Sequence, residues 1–203
     1  AEAFTAYAEA LTERPDDDAI LDQLERLAGE LYAWDPYIDL LDQQIEYSQD
    51  PVVQSVLQRR IARVYEEQIQ DAGAAIDRYS RVIEQDPMDE VALPALDRLY
   101  MQEARWESLT DVLSRRIEQS SDPDERLDFR LRQGMLLRDA IGDTQGALNV
   151  YQTILEEEPE EPRAIGALEE MFMAGLASEP IAEILEPYYL SRGEHQKLIE
   201  MYT

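Results

Sequence analysis

The sequence predicts an all-α fold: one continuous array of about twelve helices, paired as antiparallel hairpins and stacked side by side, with no sheet. Three observations predict it. Residues 75–87 (AIDRYSRVIEQDP) and 147–159 (ALNVYQTILEEEP) keep Ala, Tyr and Pro in register at a separation of 72, and 3–15 (AFTAYAEALTERP) is a third copy another 72 residues upstream. Within a copy the apolar residues recur every three to four positions, as on one face of a helix, rather than alternating as in a strand. Aspartate and proline punctuate the chain between these runs, while glycine is scarce, with eight in all, and no Ser- or Gly-rich linker divides it.

Taken in order, the first copy supplies helices over 1–13, 17–31 and 34–48. Leu24 and Leu27 of the second match Leu96 and Leu99 one period on, and Trp34 and Ile45 of the third match Trp106 and Ile117. Asp50-Pro51 opens a helix over 52–70: an aspartate side chain caps free backbone N–H groups, and a proline at the first position lacks only an N–H that has no partner there. The helix over 72–86 carries Ile76, Tyr79, Val82 and Ile83 on one face and ends at Pro87, because a residue before proline avoids the helical region. Helices over 89–103 and 106–120 follow, the latter with Leu109, Val112, Leu113 and Ile117 at helical spacing. Asp122-Pro123 then restarts the pattern, giving 124–141, 144–158, 162–175, 179–192 and 194–203. Each period holds two hairpins of about 35 and 37 residues, so the units are approximately 1–50, 51–122 and 123–194, with a partial unit at 195–203.

These residues resemble the tetratricopeptide repeat. Ala75, Tyr79 and Pro87 look like that family's second-helix positions, repeated at Ala147, Tyr151, Pro159 and at Ala3, Tyr7, Pro15. Ala62 and Tyr65 resemble the small and aromatic positions of its first helix, and Gly134 sits where the family prefers glycine. Two departures stand out. The Tyr65 to Ala75 spacing is one residue longer than the family's, and in the alternate hairpin Leu109 and Leu113 replace the Ala and the aromatic. The resemblance implies a right-handed superhelical solenoid whose first helices, type A, line a concave face, with the second helices, type B, outside. Ala75 lets paired helices approach closely and Tyr79 fills the space between hairpins, each of which needs its neighbour to cover an apolar face.

Composition narrows the function. With a formal charge of −27 and pI near 4.1, the chain has no general attraction for phosphate backbones or anionic membranes. No nucleic acid is expected as a partner. There is no run of 18 apolar residues for membrane insertion and no secretory signal. Without cysteine there is neither a disulfide framework nor a thiolate site, and a cytoplasmic or periplasmic location stays open. Lys197 is the sole lysine, and acid enrichment with lysine depletion fits salt adaptation or a GC-rich genome as well as a binding role.

Catalytic motifs are absent. The single histidine, His195, lies in the last helix, and no metalloprotease, phosphate-loop or EF-hand pattern occurs. The acidic runs 16–18 and 156–158 read as solvated helix ends, so no metal and no cofactor is expected. Trp34 and Trp106, in equivalent places, read as packing residues, as do Met101, Met171 and Met173. Arginine is more informative: ten fall in A-type helices, and Arg26, Arg63 and Arg98 stand two positions before the family's aromatic position, with Met135 and Glu170 in the remaining two places. The candidate partner-binding residues are Arg26, Arg59, Arg63, Arg98, Gln102 and Arg138.

The function these features predict is non-catalytic: a protein-protein interaction scaffold whose groove takes a protein or peptide that is acidic or ends in a free carboxylate. The competing reading is an architectural spacer with ordinary salt bridges on its helices, such as Asp22–Arg26, Arg26–Glu30 and Arg63–Glu67 at i,i+4. By the 72-residue register Ala1 corresponds to Gly73 and Thr203 to Leu131, both inside a hairpin. A fragment of a longer array, or self-association through uncovered ends such as Leu198, Ile199 and Met201, is therefore expected.

Overall fold

Aspartate sets where many of the helices begin. In the computed structural model, which describes residues 2–202, the first six are α1 Glu2–Glu13, α2 Asp18–Leu31, α3 Trp34–Tyr47, α4 Pro51–Val64, α5 Ala72–Gln85 and α6 Ala92–Gln102. The remaining six are α7 Trp106–Gln119, α8 Pro123–Leu136, α9 Thr144–Glu157, α10 Pro162–Met173, α11 Ser178–Arg192 and α12 His195–Met201. Asp17, Asp50, Asp71, Asp122, Asp143 and Glu161 each stand just before a helix and accept a backbone N–H from its first turn. Asp89 accepts from the amides of Val91 and Ala92. The caps keep the period: Asp17, Asp89 and Glu161 are 72 apart, as are Asp50 and Asp122, and Asp71 and Asp143. Each contributes about 1 kcal/mol. The twelve helices match the expected number, and no described residue lies in a strand. One start moves by more than a residue: α6 begins at Ala92 rather than 89, because Asp89 stays outside the helix as the acceptor for its free amides.

The extra residue between Tyr65 and Ala75 has a structural counterpart. Here α4 runs on into a single π turn, Tyr65–Ile69, which is wider than an α turn and holds one more residue. Gln70 then closes it in the left-handed region at φ 62°, and the Asp71 amide bonds the Tyr65 carbonyl at 2.8 Å. One period later the device recurs: π turn Leu137–Ile141 extends α8, Gly142 closes it at φ 79°, and the Asp143 amide bonds the Leu137 carbonyl at 2.7 Å.

The chain forms two compact units, Ala1–Glu103 and Ala104–Thr203. In the first, Leu21, Leu24 and Ala28 of α2, Tyr37 and Leu41 of α3, and Leu57 and Ile61 of α4 build a contiguous core. Trp34 packs against it, edge-on to Tyr37 with ring centres 6.2 Å apart, as a packing residue should. In the second, Leu127 and Leu131 of α8 meet Leu148, Tyr151 and Ile154 of α9, with Leu168, Met171, Leu185 and Leu198 from α10 to α12. Ala62 and Ala75 are fully buried, which fits their reading as close-approach positions. Of the three methionines expected in the core only Met171 is there; Met101 is 41% and Met173 84% exposed. His195 is exposed. No helix among the described residues is long and apolar enough to cross a membrane.

Candidate functional site

Because A-type helices are two elements apart in sequence, a long cation on one reaches a carboxylate on the next. In the first unit these helices are α2, α4 and α6. Arg60 of α4 binds Asp18 and Asp22 of α2, both at 2.8 Å, and Glu25 at 3.1 Å, and Arg63 reaches Glu25 at 2.7 Å. Arg59 pairs at 2.5 Å with Asp89, itself buried and capping the turn before α6. Arg98 of α6 pairs at 2.5 Å with Glu66 of the first π turn. Arg26 bonds Glu30 and Gln23 on its own helix. Gln102 is exposed at the end of α6. Of the three helix-surface pairs read from sequence, Arg26–Glu30 forms, while Asp22 turns to Arg60 and Arg63 to Glu25. On the B-type side, Arg78 of α5 clasps both carboxylate oxygens of Asp42 on α3, at 2.6 and 2.8 Å.

In the second unit α8 and α10 hold the corresponding face. Arg138, in the second π turn, bonds Asp139 at 2.6 Å and Glu170 of α10 at 3.0 Å. Arg163 bonds Asp128 and Glu161, both at 2.7 Å. Arg130 pairs with Glu157. The Asp139 carboxyl is held below its ordinary range by Arg138, and the Glu157 carboxyl by Arg130.

Two open clefts lie on these faces. One, of about 450 Å³ between α2 and α4, brings together Arg26 and Arg63 with Glu25, Glu30 and Trp34. Arg59 and Arg98 lie off its walls. The other, of about 550 Å³ among α8, α9 and α10, is lined by Leu131, Met135, Arg138, Tyr151, Arg163 and Glu170 among others. Met135 and Glu170, which interrupt the arginine pattern in the sequence, thus share a cleft with Arg138.

The two units differ in the polarity of one corresponding ion pair. Glu66 and Arg98 correspond, 72 residues on, to Arg138 and Glu170: the same ion pair is made in both units with its charges exchanged. Glu66 and Glu170 are the site residues the sequence reading did not assign, and comparing the signs of charge across the period would have found them. The tyrosine beneath each pair differs accordingly. Tyr79 Oη donates to Glu66 at 3.5 Å, and burial, reinforced by Glu66, pushes its hydroxyl up to about 12. Tyr151 is fully buried with no hydrogen bond at Oη; burial raises its hydroxyl and the Arg138 charge opposes the rise. Tyr37 Oη is likewise buried without a hydrogen bond.

The clefts can hold charge and shape. No group of three or more metal-ligating side chains occurs among the described residues, and the only histidine stands alone on the surface of α12.

No protein-family model matches the sequence, and no curated protein matches it. Among solved structures, the chain is similar to a kinesin light chain protein of Podosopora anserina with nearly identical TPR-like repeats. Identity there is 16% over 89% of this chain and 90% of that one, with a TM-score of 0.42. It is also similar to BtubC (BKLC) of P. vanneervenii, at 12% identity over 98% of this chain and 84% of that one, with a TM-score of 0.47.

Proposed function

We propose that the chain is a protein-interaction scaffold that holds a peptide or protein partner against its A-type helices. The observation that carries this reading is the cleft between α2 and α4, where Arg26, Arg63 and Trp34 meet in open space on an otherwise strongly acidic chain. Its two guanidinium groups stand among Asp22, Glu25 and Glu30 beside an aromatic edge, so an acidic segment would bind by exchanging with Glu30 and Glu25 for Arg26 and Arg63. The Arg26–Glu30 pair is exposed and worth at most about 1 kcal/mol, so exchange there costs little, whereas Glu25 is half-buried and shared by Arg60 and Arg63. The tetratricopeptide-like pattern of Ala, Tyr and Pro supports the same reading.

A second reading, an architectural segment with an unoccupied groove, is favoured by one observation: Arg26, Arg59, Arg63, Arg98 and Arg138 all have carboxylate partners within their own units. The two readings part in a pull-down at several salt concentrations with wild type and an Arg26→Glu plus Arg63→Glu variant. Binding that weakens with salt and is lost in the variant supports a charge-led groove. Capture unchanged by the double substitution removes these arginines from the interface.

A further inference from the structure

We propose that the cleft between α9 and α11, on the B-type side of the second unit, docks a basic segment of another protein, in which an apolar side chain is flanked by arginine or lysine. The site is separate from the A-type face and does not rest on the reading of the α2–α4 cleft.

The cleft is open, has a volume of about 560 Å³ and lies wholly within the second unit. Its apolar floor is Leu148 and Leu155 of α9 with Ile184 and Tyr188 of α11. Pro159, Pro180 and Pro187 complete the walls. Proline has no rotamer freedom to lose on burial, so a guest laid across these rings immobilises little of the protein.

The period fixes the charge of the guest. Positions 187 and 188 hold Arg115 and Arg116 one period earlier, whereas the acids stay: Glu156 corresponds to Glu84, and Glu183 to Asp111. The walls have kept their carboxylates and exchanged two guanidinium groups for Pro187 and Tyr188. Glu156 and Glu183 are both exposed, one on each helix. The sequence of α9 contains no lysine or arginine, and that of α11 contains only Arg192. That residue sits in the last turn of α11, its guanidinium 5.5 Å from the centre of the Tyr188 ring and bonded to Glu194 at 3.1 Å. The cations that balance the two rim carboxylates are therefore left for a guest to bring.

Lysine and arginine lay their aliphatic stems along apolar surface and keep the charged head in water. A basic residue beside the apolar one can thus cover a proline with its stem and set its head against Glu156 or Glu183, while the apolar side chain fills the floor. An ion pair at an exposed rim adds only a few-fold in affinity, so binding needs the anchor and the charges together. An acidic segment is repelled by the same groups. The α9–α11 cleft and the α2–α4 cleft accordingly select guests of opposite sign.

The test is an amide NMR titration of the chain with the peptide acetyl-Gly-Arg-Leu-Arg-Gly-amide. Two further peptides serve as controls: acetyl-Gly-Arg-Gly-Arg-Gly-amide lacks the apolar anchor, and acetyl-Gly-Glu-Leu-Glu-Gly-amide reverses the charge. Saturable shifts centred on Leu148, Gln152, Ile184 and Tyr188 are expected with the first peptide, binding at least about 5-fold weaker with the second, and none with the third. Glu156→Gln plus Glu183→Gln should weaken binding about 3- to 10-fold. Glu46→Gln plus Glu90→Gln makes the same change in net charge at exposed glutamates of the first unit and should leave binding within about 2-fold of wild type. Pro187→Arg restores the residue of the preceding period and takes a proline out of a helix interior, so it should keep the fold and weaken binding about 3- to 10-fold. Equal weakening by the two glutamate pairs reduces the effect to general attraction and overturns the proposal. Equal binding of the glycine peptide, binding of the acidic peptide, indifference to Pro187→Arg, or no saturable shift into the tens of millimolar also overturns it. Shifts at the same four amides that grow with protein concentration alone put a second copy in the cleft and overturn it as well. None of these outcomes bears on the α2–α4 cleft, whose own test uses Arg26 and Arg63.

Discussion

Exchanging the charges of Glu66 and Arg98 should make the first unit imitate the second. Arg98 is 59% exposed and Glu66 16%, so their attraction is that of a partly screened pair, about 0.5 kcal/mol. Arg98→Glu forfeits it and sets two carboxylates face to face, a loss of about 1 kcal/mol in all. Glu66→Arg has the same electrostatic loss and also deprives Tyr79 of its acceptor; at 3.5 Å that hydrogen bond adds only about 0.5 kcal/mol. The double exchange rebuilds the ion pair in the orientation of Arg138 and Glu170, leaving only the Tyr79 term. Its destabilisation should be about 0.5 kcal/mol against about 2.5 for the summed single variants, a coupling of about 2 kcal/mol. Tyr79→Phe in the exchanged chain should recover the remainder. Urea unfolding followed by far-ultraviolet circular dichroism measures all four corners, and high salt should shrink the coupling. A double variant as unstable as the sum of its single parents would refute the argument that the exchanged pairs are equivalent.

Three further outcomes are expected. Gly134→Ala should destabilise by up to about 2 kcal/mol, crowding of the Tyr151 ring outweighing the gain in helix propensity, whereas beside Tyr151→Leu the same change should stabilise by about 1 kcal/mol; thermal unfolding distinguishes them. Gln70→Gly should stabilise the first unit by about 1 kcal/mol and Gly142→Ala destabilise the second by a similar amount, since both residues are left-handed and the Gly142 Cβ would meet nothing. The Glu157 pKa is lowered in the folded chain by Arg130. Its contribution is therefore present above the unfolded carboxylate pKa, about 4.3, and is lost as pH falls through the lower folded value. Arg130→Gln should accordingly be less stable than wild type at pH 6 and equal to it near pH 2.5, measured by denaturant unfolding at each pH.

The helices were legible because their signals are local: Asp50-Pro51, the apolar spacing around Tyr79 and the stop at Pro87 each act within a few residues. The added residue after Tyr65 was legible as a length, but not as a π turn, since the same insertion fits a looser loop. The placement of the arginines was readable and their partners were not. Arg60 finds Asp22 38 residues away and Arg98 finds Glu66 32 residues away, distances set by hairpin packing rather than by helix geometry. Met173 and Met101 misled for a related reason: helical spacing gives a face, but burial of that face depends on which helix covers it. The unpartnered Tyr151 follows from the period once charges, and not only apolar residues, are compared across it.

The aspartate caps bear on how far the acidity of this chain can be altered. Asn caps a helix about as well as Asp, through the same side-chain oxygen. Asp50, Asp71, Asp122 and Asp143 each accept a first-turn amide. Changing all four to Asn would remove four charges from −27 while keeping the hydrogen bonds that start α4, α5, α8 and α9. The electrostatic character of the surface and the punctuation of the helices are therefore independently adjustable, and a less acidic homologue could keep the same register.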